Sequence, residues 1–459
     1  MMVTSRNINN FLNSSVGSLI TRITICLAFC FNSAVAAIPA YLPQTASKSL
    51  QSISDEVSQM VSQLRQKGAS FASMNPVVLI PGFSASALGQ KLTDRYSSHW
   101  YCLKNQEFTT KWVSLTQFLP EMVNCFLENF QPVCDLVEQS CTDPLGVFTR
   151  PIGNYEEGDT FAVEHLDPSF KWKTGYMYTF IEALHQLGLQ RQEHVFALPY
   201  DWRLIGIQSI SDELETRFTR IVERAFEVSN GKKVNLIGHS MGGLVGVSLL
   251  NKKSKEWKQK FINHYVSVAA PFSGAPTTPH NILVGENYGV PTLTKPKSRN
   301  LIANWTGVAA LSPRDFTYGQ SDLIVVDGKA YTSKDLKKLY TKYNANEHLQ
   351  FLDWNLHLVS PTQAPDVAMT VIGTTNIRVP LTYNLTRNGR GEFDVEVLKY
   401  EDGDGTVHVR SYLDILKYWN EQQKEKITFV PYKDVGHTRY FMNHKFVGYL
   451  INYLSSISL

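Results

Sequence analysis

Six residues, Gly238-His239-Ser240-Met241-Gly242-Gly243, constrain the fold more than any other stretch of the chain. An apolar run at 234–237 precedes them and a helix-compatible stretch at 244–251 follows them. This context predicts a sharp strand-to-helix turn with Ser240 at its apex, as in a nucleophile elbow. Glycine two residues to either side relieves the crowding that such a strained turn creates. Because Gly-x-Ser-x-Gly also occurs by chance, a turn of small residues without chemistry remains the alternative.

A second turn is predicted to complete the oxyanion hole. The apolar residues 77–80 indicate a short buried strand that ends in Pro81-Gly82-Phe83-Ser84. A strand that stops at such a turn leaves a backbone N–H free, so Phe83 and Met241 are the candidate donors to a developing oxyanion. An ordinary Pro-Gly turn is the other interpretation.

Patterns along the rest of the chain alternate between helix and strand. Helical periodicity at 175–187 and 210–228 alternates with strands at 195–198 and 265–270. This order predicts an α/β fold with a mostly parallel sheet covered by helices. The alternation is lost at 276–365, which predicts a cap and lid, and strand pattern returns at 369–372 and 427–430. We therefore divide the chain into a core at 76–275, the cap and lid at 276–365, and a second part of the core at 366–459.

The N-terminus has the pattern of a secretory signal peptide. Arg6 and Arg22 precede apolar residues 23–31, and Ala34-Val35-Ala36 supplies a cleavage site. Residues 1–36 are therefore predicted to be removed, and 37–75 to contain an amphipathic helix at 47–66. A retained anchor is the alternative, but the apolar run is shorter than the roughly 18–20 residues of a membrane span. A net charge of +3 gives no indication of a nucleic-acid partner.

Four cysteines remain after the predicted cleavage, which in an oxidising compartment indicates two disulfides. They are Cys102, Cys125, Cys134 and Cys141. We prefer the local pairing of Cys102 with Cys125 and Cys134 with Cys141, while the other two connectivities stay open. Zinc is a weaker interpretation, since no Cys-x-x-Cys spacing is present. Sequons at Asn304 and Asn384 are consistent with secretion.

An insertion at about 92–150 is predicted to contact lipid. Residues 100–130 are dense in large apolar side chains, and the loop from Cys102 to Cys125 would cross-link them. An excursion of this kind exposes apolar surface that suits a lipid interface. Trp112, Phe108 and Phe118 are the candidate lipid contacts. Burial of these side chains against the core is the alternative.

Serine at its ordinary pKa is a poor nucleophile and needs a histidine and an orienting acid. In α/β-hydrolases the chain order is serine, acid, histidine. Asp404, in the polar turn 401–407, and His437, after the last predicted strand, are the candidates. Asp402 is the rival acid.

His408 and His444 are the rival bases, and His444 falls in a helical stretch. A calcium loop beginning at Asp402 is a poor fit, because Arg410 and Leu413 would stand where oxygen ligands are required. No metal or cofactor is predicted.

Together these motifs resemble the lecithin:cholesterol acyltransferase family, which includes lysosomal phospholipases A and phospholipid:diacylglycerol acyltransferases. The resemblance runs from about residue 76 to 455 and rests on these segments: Pro81-Gly82, Tyr200-Asp201-Trp202-Arg203-Leu204, the elbow, Ala270-Pro271-Phe272-Ser273-Gly274, Asp402-Gly403-Asp404-Gly405-Thr406-Val407 and Gly436-His437.

The resemblance implies an α/β-hydrolase fold in which Ser240, Asp404 and His437 form the triad and Phe83 with Met241 form the oxyanion hole. It also implies a disulfide-closed, membrane-contacting loop from Cys102 to Cys125 that includes Trp112, and a mobile lid near residues 276–297. Two features depart from the family pattern. Ser84-Ala85-Ser86 changes the oxyanion turn, and Cys134 with Cys141 replaces a disulfide that the family has in its C-terminal half.

The implied activity is that of a serine phospholipase A and acyltransferase. Ser240 would accept a fatty acyl group from a phospholipid and pass it to a sterol, another lipid alcohol or water. The enzyme would work peripherally on a membrane or lipoprotein-like surface, either secreted or in a lysosome or vacuole. The alternatives are a purely hydrolytic phospholipase A and, from a different class, a catalytically silent lipid-binding protein of the same fold.

Overall fold

A computed structural model describes residues 50–66, 73–287, 290–358 and 362–458 of the chain. The predicted signal peptide, residues 1–36, lies outside the described residues. Within the described ranges, no helix combines the length and the apolar character that a membrane crossing requires.

The strands of the described residues are β1 (Val77–Ile80), β2 (Leu88–Leu92), β3 (Gln106–Trp112), β4 (Val133–Asp135), β5 (Ser140–Thr142), β6 (Val147–Pro151), β7 (Val195–Ala197), β8 (Val234–His239), β9 (Ile262–Val268), β10 (Ile324–Val326), β11 (Lys329–Tyr331), β12 (Met369–Thr375), β13 (Ile377–Arg387), β14 (Phe393–Gly403) and β15 (Ile427–Lys433).

The α-helices of the same residues are α1 (Leu50–Gln66), α2 (Met122–Phe130), α3 (Phe161–Glu164), α4 (Lys171–Thr174), α5 (Tyr178–Gln186), α6 (Gln208–Val228), α7 (Met241–Asn251), α8 (Lys255–Phe261), α9 (Thr277–Val284), α10 (Lys295–Ile302), α11 (Thr306–Ala310), α12 (Asp315–Tyr318), α13 (Leu336–Lys342), α14 (Asn346–Leu358), α15 (Val409–Gln422) and α16 (His444–Ser456).

The core of the molecule is a six-stranded sheet in the order β15-β12-β9-β8-β1-β7. Every neighbouring pair in it is parallel. Every residue of β1 and β8 is buried, which is the burial expected of parallel strands that helices cover on both faces. The predicted α/β-hydrolase fold with a mostly parallel sheet is confirmed.

The predicted amphipathic helix is present as α1. Its buried side chains Val57, Met60, Val61 and Leu64 join the apolar cluster that α5 and α16 also line. The spacing of these four residues is helical, so one stripe faces the core while the polar face meets solvent.

A second sheet, in the order β11-β10-β13-β14, was not predicted. The hairpin of β13 and β14 supplies two eleven-residue strands. β10 pairs in parallel with β13, with Ile324 opposite Tyr383. β13 therefore pairs with a strand of the predicted cap segment, β10, and directly follows β12 of the main sheet in the chain.

The insertion contains the sheet β3-β2-β6, the helix α2 and the hairpin of β4 and β5. Both predicted disulfides are present, and they have the local pairing: Cys102 with Cys125, and Cys134 with Cys141. The first ties the β2–β3 connection to α2, and the second clamps the hairpin across directly paired residues.

The structure corrects the predicted lipid contacts. Phe118 is only 5% exposed and packs edge-on against Phe126. Trp112 is half-buried, because its indole N–H donates to the Ser84 carbonyl at 2.7 Å and its rings meet other aromatic side chains. Phe108 is half-buried beneath the Arg150 guanidinium, 4.3 Å from the ring centroid. All three side chains hold the insertion to the core rather than facing outward.

Other apolar side chains of the insertion are exposed. We call five of them the apolar tip: Tyr96, Trp100, Leu103, Leu145 and Phe148, with exposed fractions of 57% to 93%. They come from the β2–β3 connection and from the segment that runs into β6, and the two are bonded to each other: the Thr93 N–H donates to the Gly146 carbonyl at 2.9 Å, and Arg95 Nη1 donates to the Leu145 carbonyl. The two segments that carry the tip are thus in direct contact.

The insertion also contacts the cap through polar groups on α10 and its flanks. Thr292 Oγ1 donates to the Phe118 carbonyl at 2.6 Å, and Lys297 Nζ donates to Asn124 Oδ1 at 3.0 Å. Asn304 Nδ2 donates to the Pro132 carbonyl at 2.8 Å. The two excursions from the main sheet are therefore joined directly to each other.

Candidate active site

Ser240 lies at the turn between β8 and α7, as the glycine-rich motif predicts. Its backbone has φ 53° and ψ −128°, a left-handed conformation that costs of order 1–3 kcal/mol for a residue with a side chain. A Cβ at Gly238 would lie 2.7 Å from the Gly242 carbonyl, and a Cβ at Gly242 would collide with the Ile80 carbonyl. These glycines let α7 pack against β1, which holds the serine in its strained position.

Ser240, His437 and Asp404 form a continuous hydrogen-bonded chain. His437 Nε2 lies 2.8 Å from Ser240 Oγ, and His437 Nδ1 lies 2.8 Å from Asp404 Oδ2. The backbone N–H of His437 also donates to the Asp404 carbonyl at 2.9 Å. This is the geometry in which a histidine can accept the serine proton while a carboxylate fixes its tautomer.

Asp404 is held as an acceptor by its own turn. Its Oδ1 accepts from the N–H groups of Thr406 at 2.9 Å and Val407 at 2.7 Å. Burial alone would raise the pKa of Asp404, but His437 and these two N–H groups outweigh burial and lower it. The carboxylate therefore stays ionised although it is only 1% exposed.

The rival residues lie elsewhere. Asp402 is at the surface and accepts from the backbone N–H of Asn376. His408 is buried between the Tyr318 hydroxyl and the Val379 carbonyl, and His444 pairs with Glu56 at 3.3 Å on the surface. Of the acids and histidines predicted as candidates from the sequence, the structure places Asp404 and His437 at Ser240.

The predicted oxyanion turn lies against the nucleophile. A Cβ at Gly82 would be 2.9 Å from Ser240 Cβ, so only glycine permits this approach. Among the described residues, the backbone N–H groups of Phe83 and Met241 donate to no acceptor. Met241 begins α7, where the first N–H groups have no intrahelical partner and the helix dipole favours negative charge.

Tyr200, Trp202 and Arg203 support this turn from below. The Tyr200 hydroxyl donates to the Pro81 carbonyl at 2.7 Å, and Trp202 Nε1 donates to the Ser86 carbonyl at 3.1 Å. Arg203 is fully buried and donates to Asp201, to Asp143 and to the Phe130 carbonyl. Tyr200 and Trp202 therefore fix the oxyanion turn. Arg203, which follows them in the chain, binds the insertion through Asp143 and the Phe130 carbonyl.

His239, the residue before the nucleophile, connects the loops of the site. Its Nδ1 accepts from the Tyr176 hydroxyl at 2.7 Å, and its Nε2–H donates to the His437 carbonyl at 3.0 Å. The Tyr176 hydroxyl in turn accepts from the Gly82 N–H at 3.2 Å. Burial, followed by the neighbouring His437, lowers the pKa of His239 to about 3, so it is neutral. No sequence pattern marks Tyr176, because its partners come from distant segments.

One grouping of candidate metal ligands occurs within the described ranges. His99, Cys102 and Glu128 bring three such atoms within 4.8 Å of one another. Cys102 is cross-linked to Cys125, however, and its sulfur cannot act as a thiolate ligand. His99 instead pairs with Glu128 at 2.8 Å.

Comparisons with known proteins identify the family of the chain. The family model of lecithin:cholesterol acyltransferase matches residues 108–358, more than half of the chain. Rat phosphatidylcholine-sterol acyltransferase is 28% identical over 372 residues, covering 81% of this chain and 82% of that protein. The chicken enzyme of the same name is 29% identical and covers 80% and 86%. Bovine lysosomal phospholipase A and acyltransferase is 27% identical over 380 residues, covering 82% and 91%.

Proposed function

The chain belongs to the lecithin:cholesterol acyltransferase family, and we propose on this basis that it is a phospholipase A and acyltransferase with Ser240 as its nucleophile. The observation that carries the proposal is the chain of 2.8 Å contacts from Ser240 through His437 to Asp404. A lipid-binding protein without activity requires neither this alignment nor a serine in a strained backbone conformation.

The chemistry follows from the geometry. Ser240 Oγ attacks the ester carbonyl of a phospholipid while His437 Nε2 takes the hydroxyl proton. The N–H groups of Phe83 and Met241 stabilise the oxyanion of the tetrahedral intermediate. Its collapse breaks the ester bond, the lysophospholipid leaves with the proton from His437, and the acyl group remains on Ser240. Water or a lipid alcohol then attacks the acyl-enzyme by the same steps and carries the acyl group away.

The acceptor is tested with phosphatidylcholine vesicles prepared with and without sterol. Free fatty acid in both preparations indicates a phospholipase A, whereas acyl sterol in the second indicates a transferase. Both outcomes support the proposed acyl-serine chemistry. Absence of both products, together with no labelling of Ser240 by a fluorophosphonate, would overturn the proposal in favour of a silent lipid-binding protein.

We further propose that the apolar tip docks on the phospholipid surface. Exposed aromatic and aliphatic side chains suit insertion among head groups, where the proposed substrate resides. The Cys102–Cys125 disulfide joins the segment that carries Trp100 and Leu103 to α2. Trp100 is 93% exposed and should contribute most, since indole rings favour this interface.

Replacing Trp100 with serine should weaken binding to phosphatidylcholine vesicles about tenfold, the equivalent of ~1.4 kcal/mol from a partly inserted indole ring. Vesicle co-sedimentation measures this change. Turnover of a water-soluble short-chain ester should stay the same, because the triad is untouched. Tyr418→Ser is the matched control, since Tyr418 is 49% exposed on α15 outside the insertion. Equal losses of vesicle binding in Trp100→Ser and Tyr418→Ser would contradict the proposal that the apolar tip is the docking surface.

We propose a secreted or lysosomal location, with Asn384 rather than Asn304 carrying a glycan. Asn384 is half-exposed on β13 and Thr386 is exposed, whereas Asn304 is bonded to the Pro132 carbonyl and Thr306 is fully buried. Enzymatic removal of N-glycans from protein secreted by eukaryotic cells should change the mass of the Asn384 peptide only. Glycan on Asn304 would contradict this assignment.

A further inference from the structure

Tyr412 places a hydroxyl group on the carboxylate of the candidate triad. Its side chain is fully buried on α15, and its Oη donates to Asp404 Oδ2 at 3.1 Å. The same oxygen lies 2.8 Å from His437 Nδ1. Asp404 Oδ2 therefore accepts two hydrogen bonds, while the two backbone N–H groups of its turn occupy Oδ1.

The fold provides a slot for this ring. Gly373 lies in β12, and a Cβ there would collide with the Tyr412 ring. On another side the ring stacks against Phe429, with centroids 6.3 Å apart and an interplanar angle of 27°. Because the ring is confined between two strands of the main sheet, its hydroxyl is aimed at Asp404.

The other titratable groups around the Asp404–His437 pair are uncharged near neutral pH. Burial lowers the pKa of His239 to about 3 and that of His408 to about 4. Burial followed by the charge of Asp404 raises the pKa of Tyr440 well above its ordinary value, and the Tyr440 hydroxyl donates to Thr374 Oγ1 instead.

Asp434 Oδ1, near this loop, accepts from Asn376 Nδ2 at 2.7 Å. Asp434 and Arg439, which flank His437 in the chain, line a surface cavity of about 330 Å³ together with Glu56 and His444. Within the described ranges, Asp404 is thus the ionised group that contacts His437. A change in how its charge is shared should therefore act directly on the histidine.

We propose that Tyr412 is a positioning residue that divides the charge of Asp404 between its own hydroxyl and His437. The inference rests on the proposed function of the triad. A carboxylate that donates less of its charge to the imidazole stabilises the protonated histidine less. The Tyr412 hydroxyl therefore weakens the stabilisation that Asp404 gives to the protonated imidazole. The hydroxyl also restrains rotation of the carboxylate.

The test is Tyr412→Phe, which keeps the ring in its slot and removes only the hydroxyl. The acidic limb of the kcat/KM profile for a soluble ester should move to higher pH by about half to one unit, because the full charge of Asp404 then acts on His437. The plateau value of kcat/KM should fall by only about two- to tenfold, since the Asp404 carboxylate still accepts three hydrogen bonds.

Tyr440→Phe is the matched control, because it removes an equally buried hydroxyl that bonds Thr374 and not Asp404. Its acidic limb should not move. An unshifted limb in Tyr412→Phe, or equal shifts in both variants, would overturn the inference. The pH dependence of fluorophosphonate labelling repeats the test without lipid. Labelling of the wild-type chain without lipid turnover would count against the proposed function and not against the role of Tyr412.

Discussion

Replacing Ser240 with alanine should lower phospholipid turnover by at least about 10⁴-fold, because the acyl-enzyme can no longer form. Ser240 Oγ is the atom within hydrogen-bond distance of His437 Nε2. Alanine accepts the same strained backbone, so thermal unfolding should change little. The measurement is fatty acid release from phosphatidylcholine vesicles, with loss of fluorophosphonate labelling as a second readout.

Ser229→Ala serves as the matched control for this variant. Ser229 is a buried serine whose hydroxyl donates to the Glu193 carbonyl, and it precedes β8 at the opposite edge of the sheet from the site. Its activity should stay within about twofold of the wild-type value, the range expected where neither substrate nor triad is touched. A Ser240→Ala enzyme that retained a tenth of its activity would disprove the nucleophile assignment.

Asp404→Asn should be the next most damaging change, with kcat/KM falling about 10³- to 10⁴-fold. The amide replaces the negative charge that stabilises protonated His437, and its NH₂ group can hold the imidazole in the wrong tautomer. The pKa of Asp404 is lowered in the folded protein, because His437 and two backbone N–H groups outweigh burial, so the carboxylate is ionised at neutral pH.

Asp402→Asn separates the two acids of the same turn. Asp402 is exposed and accepts from the Asn376 N–H, a bond that the asparagine oxygen can also accept. Its turnover should remain within about twofold of wild type, as for other surface changes away from a site. If Asp402→Asn lost more activity than Asp404→Asn, the orienting acid would be Asp402.

The three residues that the structure brings together at the candidate site could be predicted because each has a local signature. A tight strand-to-helix turn requires glycine at fixed distances from Ser240, and the chain order of the fold limits where the acid and the base can stand. The strands of the main sheet were also predictable, since parallel strands buried on both faces read as short apolar runs. Local pattern and tertiary position agree at these sites.

The rest depends on contacts between distant segments. Trp112 and Trp100 are the same residue type in one insertion, yet partners from distant segments, such as the Ser84 carbonyl and the Trp202 ring, hold only Trp112 inward. β14 was missed because half of an edge strand faces solvent and its charged residues hide the strand pattern. Tyr412 lies on the apolar face of α15, where sequence does not distinguish it from any core tyrosine.

Both covalent cross-links of the described chain close loops within the insertion, across 23 and 7 residues. Neither bridge joins two strands of the six-stranded sheet, so noncovalent packing alone holds Ser240, His437 and Asp404 together. The oxidation state of the surroundings therefore acts on the part of the chain that bears the apolar tip, and only indirectly on the part that breaks the ester. If the apolar tip docks on a lipid surface as proposed, an oxidising compartment bears on that docking more than on acyl transfer itself.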